Sequence, residues 1–303
     1  MTKISDINFE KDENYVKYLD YGFVGLVDTM GSDEAIVQAA RVSYGNGTKG
    51  TRNDRALIRY LVKHRHTSPL EMCEVKFHLK MPIFVMRQHV RHRTANLNEY
   101  SGRYSIMSDE FYVPDKANLK PQSVINKQGR DGTLIPIEET MCHNTIKRIG
   151  RENYKDYLSL LGENPNDNYN IDSDLRQGLS RELARAVLPL NNYTELYWKI
   201  DLNNFFHYVK LRADYHAQWE IQELAKAMYG LIVNKFPLAC EAYEDYIENA
   251  TTVSRMEKSL IKRIMSGKRW FDILEDYRSE ELLAKHFDMS KRELSEFKDK
   301  WEL

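Results

Sequence analysis

The sequence predicts an α/β protein of the α+β kind: a mixed or antiparallel sheet wrapped by helices, with a long core helix and a helical C-terminal extension. Three observations predict it. Glycine (14) and proline (8) make up about 7% of the 303 residues against a usual ~12%, so few turns interrupt the chain. Hydrophobic residues are 42% and charged residues 29%, enough apolar side chains for a sizeable core. Helical spacing alternates with short two-residue alternation, without a βαβ rhythm. The length suits about two domains, or one domain with an extension. We divide it into a domain over 1–240, with a candidate insertion over 115–175, and a helical extension over 241–303.

Each element has its own signal. Phe23, Val24, Leu26 and Val27 suggest a strand. Ser32 can cap a helix over Asp33–Ser43 with acids in its first turn. A second helix starts at Asn53 or Asp54, carries Leu57, Ile58, Leu61 and Val62 on one face, and ends at His64-Arg65-His66. Ser68-Pro69-Leu70-Glu71 reads as a capping box with proline at the first helical position. Val75, Phe77, Leu79 and Met81 alternate with Lys76, His78 and Lys80, predicting a half-buried strand. Pro82 opens a short helix to about His92, 93–103 is a loop, and Tyr104–Val113 reads as extended. An amphipathic helix covers Ile137–Leu161, and another runs from about Leu175 to Leu188, stopped by Pro189. Tyr193–Ile200 is a strand. One long helix runs from Asp201 to Phe236, ended by Pro237, and a second capping box stands at Ser290–Glu293.

Composition bounds the function. Lys plus Arg is 44 and Asp plus Glu 45, a net charge of −1, which argues against a sequence-tolerant nucleic-acid binder. No apolar run reaches the ~18–20 residues of a membrane helix. The first residues lack the apolar core of a secretory signal. Cys73, Cys142 and Cys240 are far apart with no CxxC pair, so reduced thiols and a cytoplasmic location are expected.

Three polar clusters could carry chemistry. The densest is Arg87-Gln88-His89-Val90-Arg91-His92-Arg93 followed by Asn98-Glu99-Tyr100-Ser101-Gly102-Arg103-Tyr104. On a helix begun by Pro82, Arg87, Gln88 and Arg91 share a face. Guanidinium forks match phosphate and carboxylate oxygens, and Gly102 lets backbone N–H groups approach an anion closely. A solvated basic strip paired with acids elsewhere explains the same residues equally well. His64, His66, His89 and His92 have the spacing for a metal, without an HExxH or carboxylate partner. Ser101 lacks a nucleophile elbow, so binding suits it better than covalent chemistry. The second cluster, Ser180-Arg181-Glu182-Leu183-Ala184-Arg185, reads as surface ion pairing. In the third, Arg212, His216 and Glu220 recur every four residues, a pattern often merely stabilising.

Taken together, the clusters resemble a known family. Arg91-His92-Arg93, seven residues, then Ser101 is the RHR-x7-S signature of the flavin-dependent thymidylate synthases. It is accompanied in family order by His66 before Ser68-Pro69-Leu70-Glu71, by Asn98 to Tyr104, by Arg181 to Pro189, and by Leu211-Arg212-Ala213-Asp214-Tyr215-His216-Ala217-Gln218-Trp219-Glu220-Ile221. The resemblance covers roughly 20–240. It implies reductive methylation of deoxyuridine monophosphate (dUMP) to thymidine monophosphate (dTMP). Methylenetetrahydrofolate would give the carbon, and FAD reduced by NADPH the hydride. It also implies a homotetramer with shared active sites.

The resemblance further implies site residues. Nucleotide contacts would come from Arg87, Gln88, His89, Val90, Arg91, Glu99, Tyr100, Ser101, Gly102, Arg103 and Arg185, with Arg212 the catalytic cation at the uracil ring. Flavin contacts would come from Ser68, Arg91, His92, Arg93, Glu99, Asp201, Leu202, Asn203 and His207, and His66 would lie near flavin and folate. No metal is implied. Three positions depart from the pattern or vary within it: Asp201, His207, which is Asn in some members and His in others, and Asn96, which replaces a frequent serine. Asp201 stands where many members have Asn, and a carboxylate there also suits a helix cap. His207 lies about 140° from Arg212 on a helical wheel, so one helix aims both at one ligand within a subunit only if its start is irregular, a conflict that a site shared between chains of the tetramer removes.

Overall fold

The computed structural model describes residues 1–42, 54–163 and 177–303. Ser43, Asn53 and Leu175, proposed above as helix ends, lie outside these residues. The described residues form two compact units, Met1–Glu248 and Asn249–Leu303.

The first unit is built on a five-stranded sheet of β1 (Tyr15–Tyr18), β2 (Gly22–Met30), β3 (Glu74–Pro82), β4 (Asn96–Glu99) and β5 (Tyr193–Asp201). Every pairing is antiparallel, in the order β1-β2-β3-β5-β4. Its helices are α1 (Asp33–Arg41), α2 (Asp54–Lys63), α3 (Ser68–Glu71), α4 (Ile83–His89), α5 (Pro136–Leu161), α6 (Arg181–Ala184), α7 (Leu202–Arg212), α8 (Trp219–Ile232) and α9 (Pro237–Tyr243). Val75, Phe77 and Leu79 of β3 pair with Ile200, Trp198 and Leu196 of β5, and these six pack with Phe205, Leu224 and Met228 of α7 and α8. Burial of that apolar face is the main stabilising contribution.

β3 differs from expectation because both its faces are buried. On the second face His78 stacks on Tyr197 and donates from Nε2 to the Glu195 carboxylate at 2.7 Å. Lys80, fully buried, donates to the Thr2 carbonyl and the Glu110 carboxylate at 2.7 Å each. Pairing makes that burial tolerable.

Further corrections follow from the backbone. The single long helix is two: α7 ends at Arg212 and α8 begins at Trp219. Asp214 accepts from the backbone N–H of His216 at 2.9 Å, a local bond that competes with the helical ladder. β4, read as loop, pairs Asn96 with Lys199 and Glu99 with Leu196. Tyr104–Val113, read as extended, holds only an isolated bridge from Phe111 to Asn192. The helix expected up to Leu188 is reduced to α6 and a 3-10 turn over Arg185–Val187. The box at Ser68 is absent: Thr67 occupies the N-cap position, without a side-chain cap bond. α5 matches its expected span, with Pro136 in its first turn and Gly162 left-handed at φ 78 after its end.

Residue 240 falls inside α9, whose Tyr243 stacks on Phe206 at 4.7 Å, so the first unit continues to Glu248. The second unit contains α10 (Arg255–Met265), α11 (Trp270–Tyr277), α12 (Glu280–His286) and α13 (Lys291–Trp301) around Leu260, Ile273, Leu283, Leu294 and Phe297. The expected box at Ser290–Glu293 forms. No helix among the described residues is long and apolar enough to cross a membrane.

Candidate active site

Pro82 ends β3 and, with its extended ψ, caps α4, so the strand delivers Arg87, Gln88 and His89 directly to one end of the sheet. The helix closes in a tight turn, Val90 N–H to the Met86 carbonyl at 3.0 Å and His92 N–H to the His89 carbonyl at 3.2 Å. This turn carries His92 to the last turn of α7. There Arg212 Nε donates to His92 Nε2 at 2.8 Å and Arg212 Nη2 donates to the Gln88 carbonyl at 3.2 Å. The carbonyl end of α4 thus helps hold the cation.

An arginine can only donate, so His92 Nε2 accepts and the proton of the neutral ring sits on Nδ1. Burial, then the Arg212 charge and His207, hold His92 neutral, lowering its pKa to about 4. Arg212 commits two N–H groups and leaves its remaining Nη protons for a ligand. His207 lies against the same imidazole, ring centroids 6.2 Å apart. His207 and Arg212 of the same helix thus both meet the His92 imidazole.

Behind His92 the site is sealed. His89 is fully buried, with Nδ1 3.0 Å from the Tyr208 hydroxyl and its ring 4.4 Å from Trp198. Burial, then His92 and Arg212, lower its pKa to about 3. His89, expected at the nucleotide, is a supporting core residue. Leu202, expected at the flavin, is also wholly buried, and its N–H is taken by the Cys73 carbonyl at 2.9 Å. Asp201 caps α7, accepting from Asn204 N at 2.9 Å and Asn204 Nδ2 at 2.7 Å, so both its oxygens are engaged. The spaced trio of the third cluster does not share a face. Arg212 meets His92, His216 pairs with Asp214 at the surface, and Glu220 is buried against Arg130.

A second group forms around the loop after β4. Tyr100 N–H bonds the Glu195 carbonyl at 2.8 Å, and Tyr104 N–H the Ser101 carbonyl at 3.1 Å. Gly102 is buried, and a Cβ there would stand 3.2 Å from Arg185 Cδ. Arg103 pairs with Glu182 at 3.0 Å, and Arg181 donates to the Tyr104 carbonyl at 3.2 Å. Glu99 accepts from Thr194 at 2.7 Å, a contact the sequence reading did not find. The structure therefore brings Gln88, His92, His207 and Arg212 together, and separately Ser101, Gly102, Arg103 and Arg185. Among the described residues no side-chain hydrogen bond or ion pair joins the two groups, and Arg87, Val90, Arg91 and Arg93 stand exposed.

His66 and Ser68 line a third feature, a groove of about 820 Å³ between α1, α2 and α3, walled by Ala35, Ala39, Tyr60 and Pro69. Arg65, left-handed at φ 60, turns the chain so that His66 stacks on Tyr60 at 5.7 Å. α3 packs against α7, so the elements bearing Ser68, Asn203 and His207 are neighbours. Among the described residues no three His, Cys, Asp or Glu side chains gather to hold a metal ion.

Comparison with known proteins decides what this arrangement belongs to. The family model described as thymidylate synthase complementing protein matches residues 25–238. The flavin-dependent thymidylate synthase of Rickettsia bellii is 48% identical over 255 residues, 84% of this chain and 86% of that one. The chain belongs to the flavin-dependent thymidylate synthases. The synthase of Ruegeria pomeroyi is 47% identical over 250 residues, 82% of this chain and 80% of that one. Among solved structures, the UMP/dUMP methylase PolB from Streptomyces cacaoi bound with 5-Br UMP aligns at TM-score 0.63 and 31% identity. That alignment covers 76% of this chain and 96% of that one. In a flavin-dependent thymidylate synthase the exposed arginines and the apolar groove have a physical reason. Cations suit a pyrophosphate, and an apolar wall with Tyr60 and His66 suits a flat ring. The residues present fit a flavin dinucleotide.

Proposed function

We propose that the chain converts dUMP to dTMP, taking the carbon from methylenetetrahydrofolate and using FAD reduced by NADPH. The observation that carries this reading is Arg212, held by a neutral His92 with its outer N–H groups free. A cation fixed in that way favours negative charge on a bound uracil ring, which raises the nucleophilicity of C5. Bound FAD would supply the hydride chemistry. This chain's residues bind, orient and polarise. Arg91 and Arg93 offer guanidiniums to the cofactor phosphates, His92 offers its Nδ1–H, and Ser68, Glu99, Asn203 and His207 surround it. Arg87, Gln88, Arg91, Tyr100, Ser101, Gly102, Arg103 and Arg185 hold the nucleotide, and His66 stands near flavin and folate.

Catalysis is assigned to the unit Met1–Glu248, with 115–175 an insertion and Asn249–Leu303 an extension. The unlinked arginine groups support a homotetramer in which one site draws residues from more than one chain. Three free cysteines among the described residues suit the cytoplasm. The test is dTMP formation from dUMP, with each of FAD, NADPH and methylenetetrahydrofolate left out in turn. Dependence on all three is expected. No dTMP with all three present overturns the reading.

A further inference from the structure

Glu220, at the start of α8, is 1% exposed and accepts three side-chain hydrogen bonds. Arg130 Nη1 donates to its Oε1 at 2.9 Å and the Tyr112 hydroxyl to the same oxygen at 3.2 Å. Gln218 Nε2 donates to Oε2 at 2.9 Å, and Gln218 Oε1 accepts from Gln88 Nε2 at 2.5 Å. Direction along this chain is forced by chemistry. An ionised carboxylate only accepts, so it must face the amino end of Gln218. The carbonyl of Gln218 then faces away and must meet a donor, the amino end of Gln88. Gln88 is left with its side-chain carbonyl oxygen as the free end of this chain of bonds, on the residue whose backbone carbonyl accepts from Arg212 Nη2.

Arg130 reaches Glu220 from a loop within the candidate insertion, 115–175. Ser123 N–H bonds the Gly129 carbonyl at 3.0 Å and Asp131 N–H the Pro121 carbonyl at 3.1 Å, so the loop holds its own shape. Gln122 bridges Arg130 across it, and the guanidinium lies 5.6 Å over the Trp219 ring.

We propose that Arg130 is a positioning residue: through Glu220 and Gln218 it sets Gln88 as a hydrogen-bond acceptor for an N–H or O–H donor of the bound nucleotide. The proposal rests on the nucleotide role of Gln88 given above. Without Arg130 the buried carboxylate loses its only cationic partner among the described residues, and the amide order of Gln218 and Gln88 loses its anchor.

The test is equilibrium dialysis of dUMP with the full chain and its Arg130→Met, Arg130→Lys, Gln88→Ala and Arg130→Met/Gln88→Ala variants. One well-oriented hydrogen bond corresponds to about tenfold in affinity. Arg130→Met should weaken dUMP binding by about that factor, Arg130→Lys should recover most of it, and the double variant should bind no more weakly than Gln88→Ala. A merely structural arginine would give losses that multiply in the double variant, which overturns the proposal, as does wild-type affinity in Arg130→Met. A wild-type chain that takes up no dUMP overturns the functional reading itself and the relay with it.

Discussion

Replacing Arg212 by alanine removes one cation and two hydrogen bonds, and the structure separates the consequences. For the fold, the loss leaves the His92 Nε2 lone pair without its 2.8 Å donor, a cost of about 1–3 kcal/mol for a half-buried acceptor. Each kcal/mol moves the Tm of a unit this size by roughly 2–4 °C, so the variant should fold and melt several degrees lower. For the chemistry, a fixed donor to developing negative charge contributes about 100- to 1000-fold in kcat, and dTMP formation should fall by at least that factor. For electrostatics, the Arg212 charge is the second cause of the low His92 pKa after burial, so its removal must raise that pKa from about 4. Histidine-selective NMR titration and dTMP chromatography read the two effects on one preparation. An unmoved His92 titration, or dTMP formation within tenfold of wild type, would remove Arg212 from the role given to it here.

Other positions give independent checks. His89 has its pKa lowered to about 3, so the folded state binds fewer protons than the unfolded one below the ordinary 6.5. This contribution to stability is therefore complete above about pH 6.5 and is lost as pH drops toward 3, by up to about 5 kcal/mol. His89→Gln, which keeps a partner for Tyr208, should flatten that slope in urea titrations, and an unchanged slope would contradict it. Asp201→Ala removes a cap and should cost about 1 kcal/mol in chemical denaturation while flavin absorbance per chain stays constant. Loss of flavin instead would restore Asp201 to the cofactor. In Gly102→Ala a new Cβ would lie 3.0 Å from Met107 Sδ and 3.2 Å from Arg185 Cδ, both flexible side chains. The fold should persist while KM for dUMP rises more than kcat changes, and unchanged KM would detach Gly102 from the nucleotide.

How much of this was legible in the sequence follows from where each signal lives. β3 and β5 announce themselves by alternation, α4 by Pro82, and α5 by its proline start and glycine stop, all local features. β4 does not, since all four of its residues are exposed and its pairing to β5 is a long-range fact. The break between α7 and α8 hides behind helix-forming residues at helical spacing, because the competing Asp214 bond is a side-chain choice. Burial of Lys80 is invisible until Glu110 and Thr2 are placed around it. At the site, the motif residues resemble those of a family, and that resemblance carried the assignment further than spacing did. The partnership of Arg212 with His92 spans 120 residues of chain and needed coordinates. Arg130 carried no signal at all, lying in a segment without periodicity.

Flavin-coupled dUMP methylation is read in one experiment by reducing the flavin-loaded chain with NADPH without oxygen, then adding dUMP and methylenetetrahydrofolate under the same anaerobic conditions. The bleached flavin absorbance should return only when both are present, with one dTMP formed per flavin reoxidised. Reoxidation without dTMP, or no reoxidation at all, would contradict it.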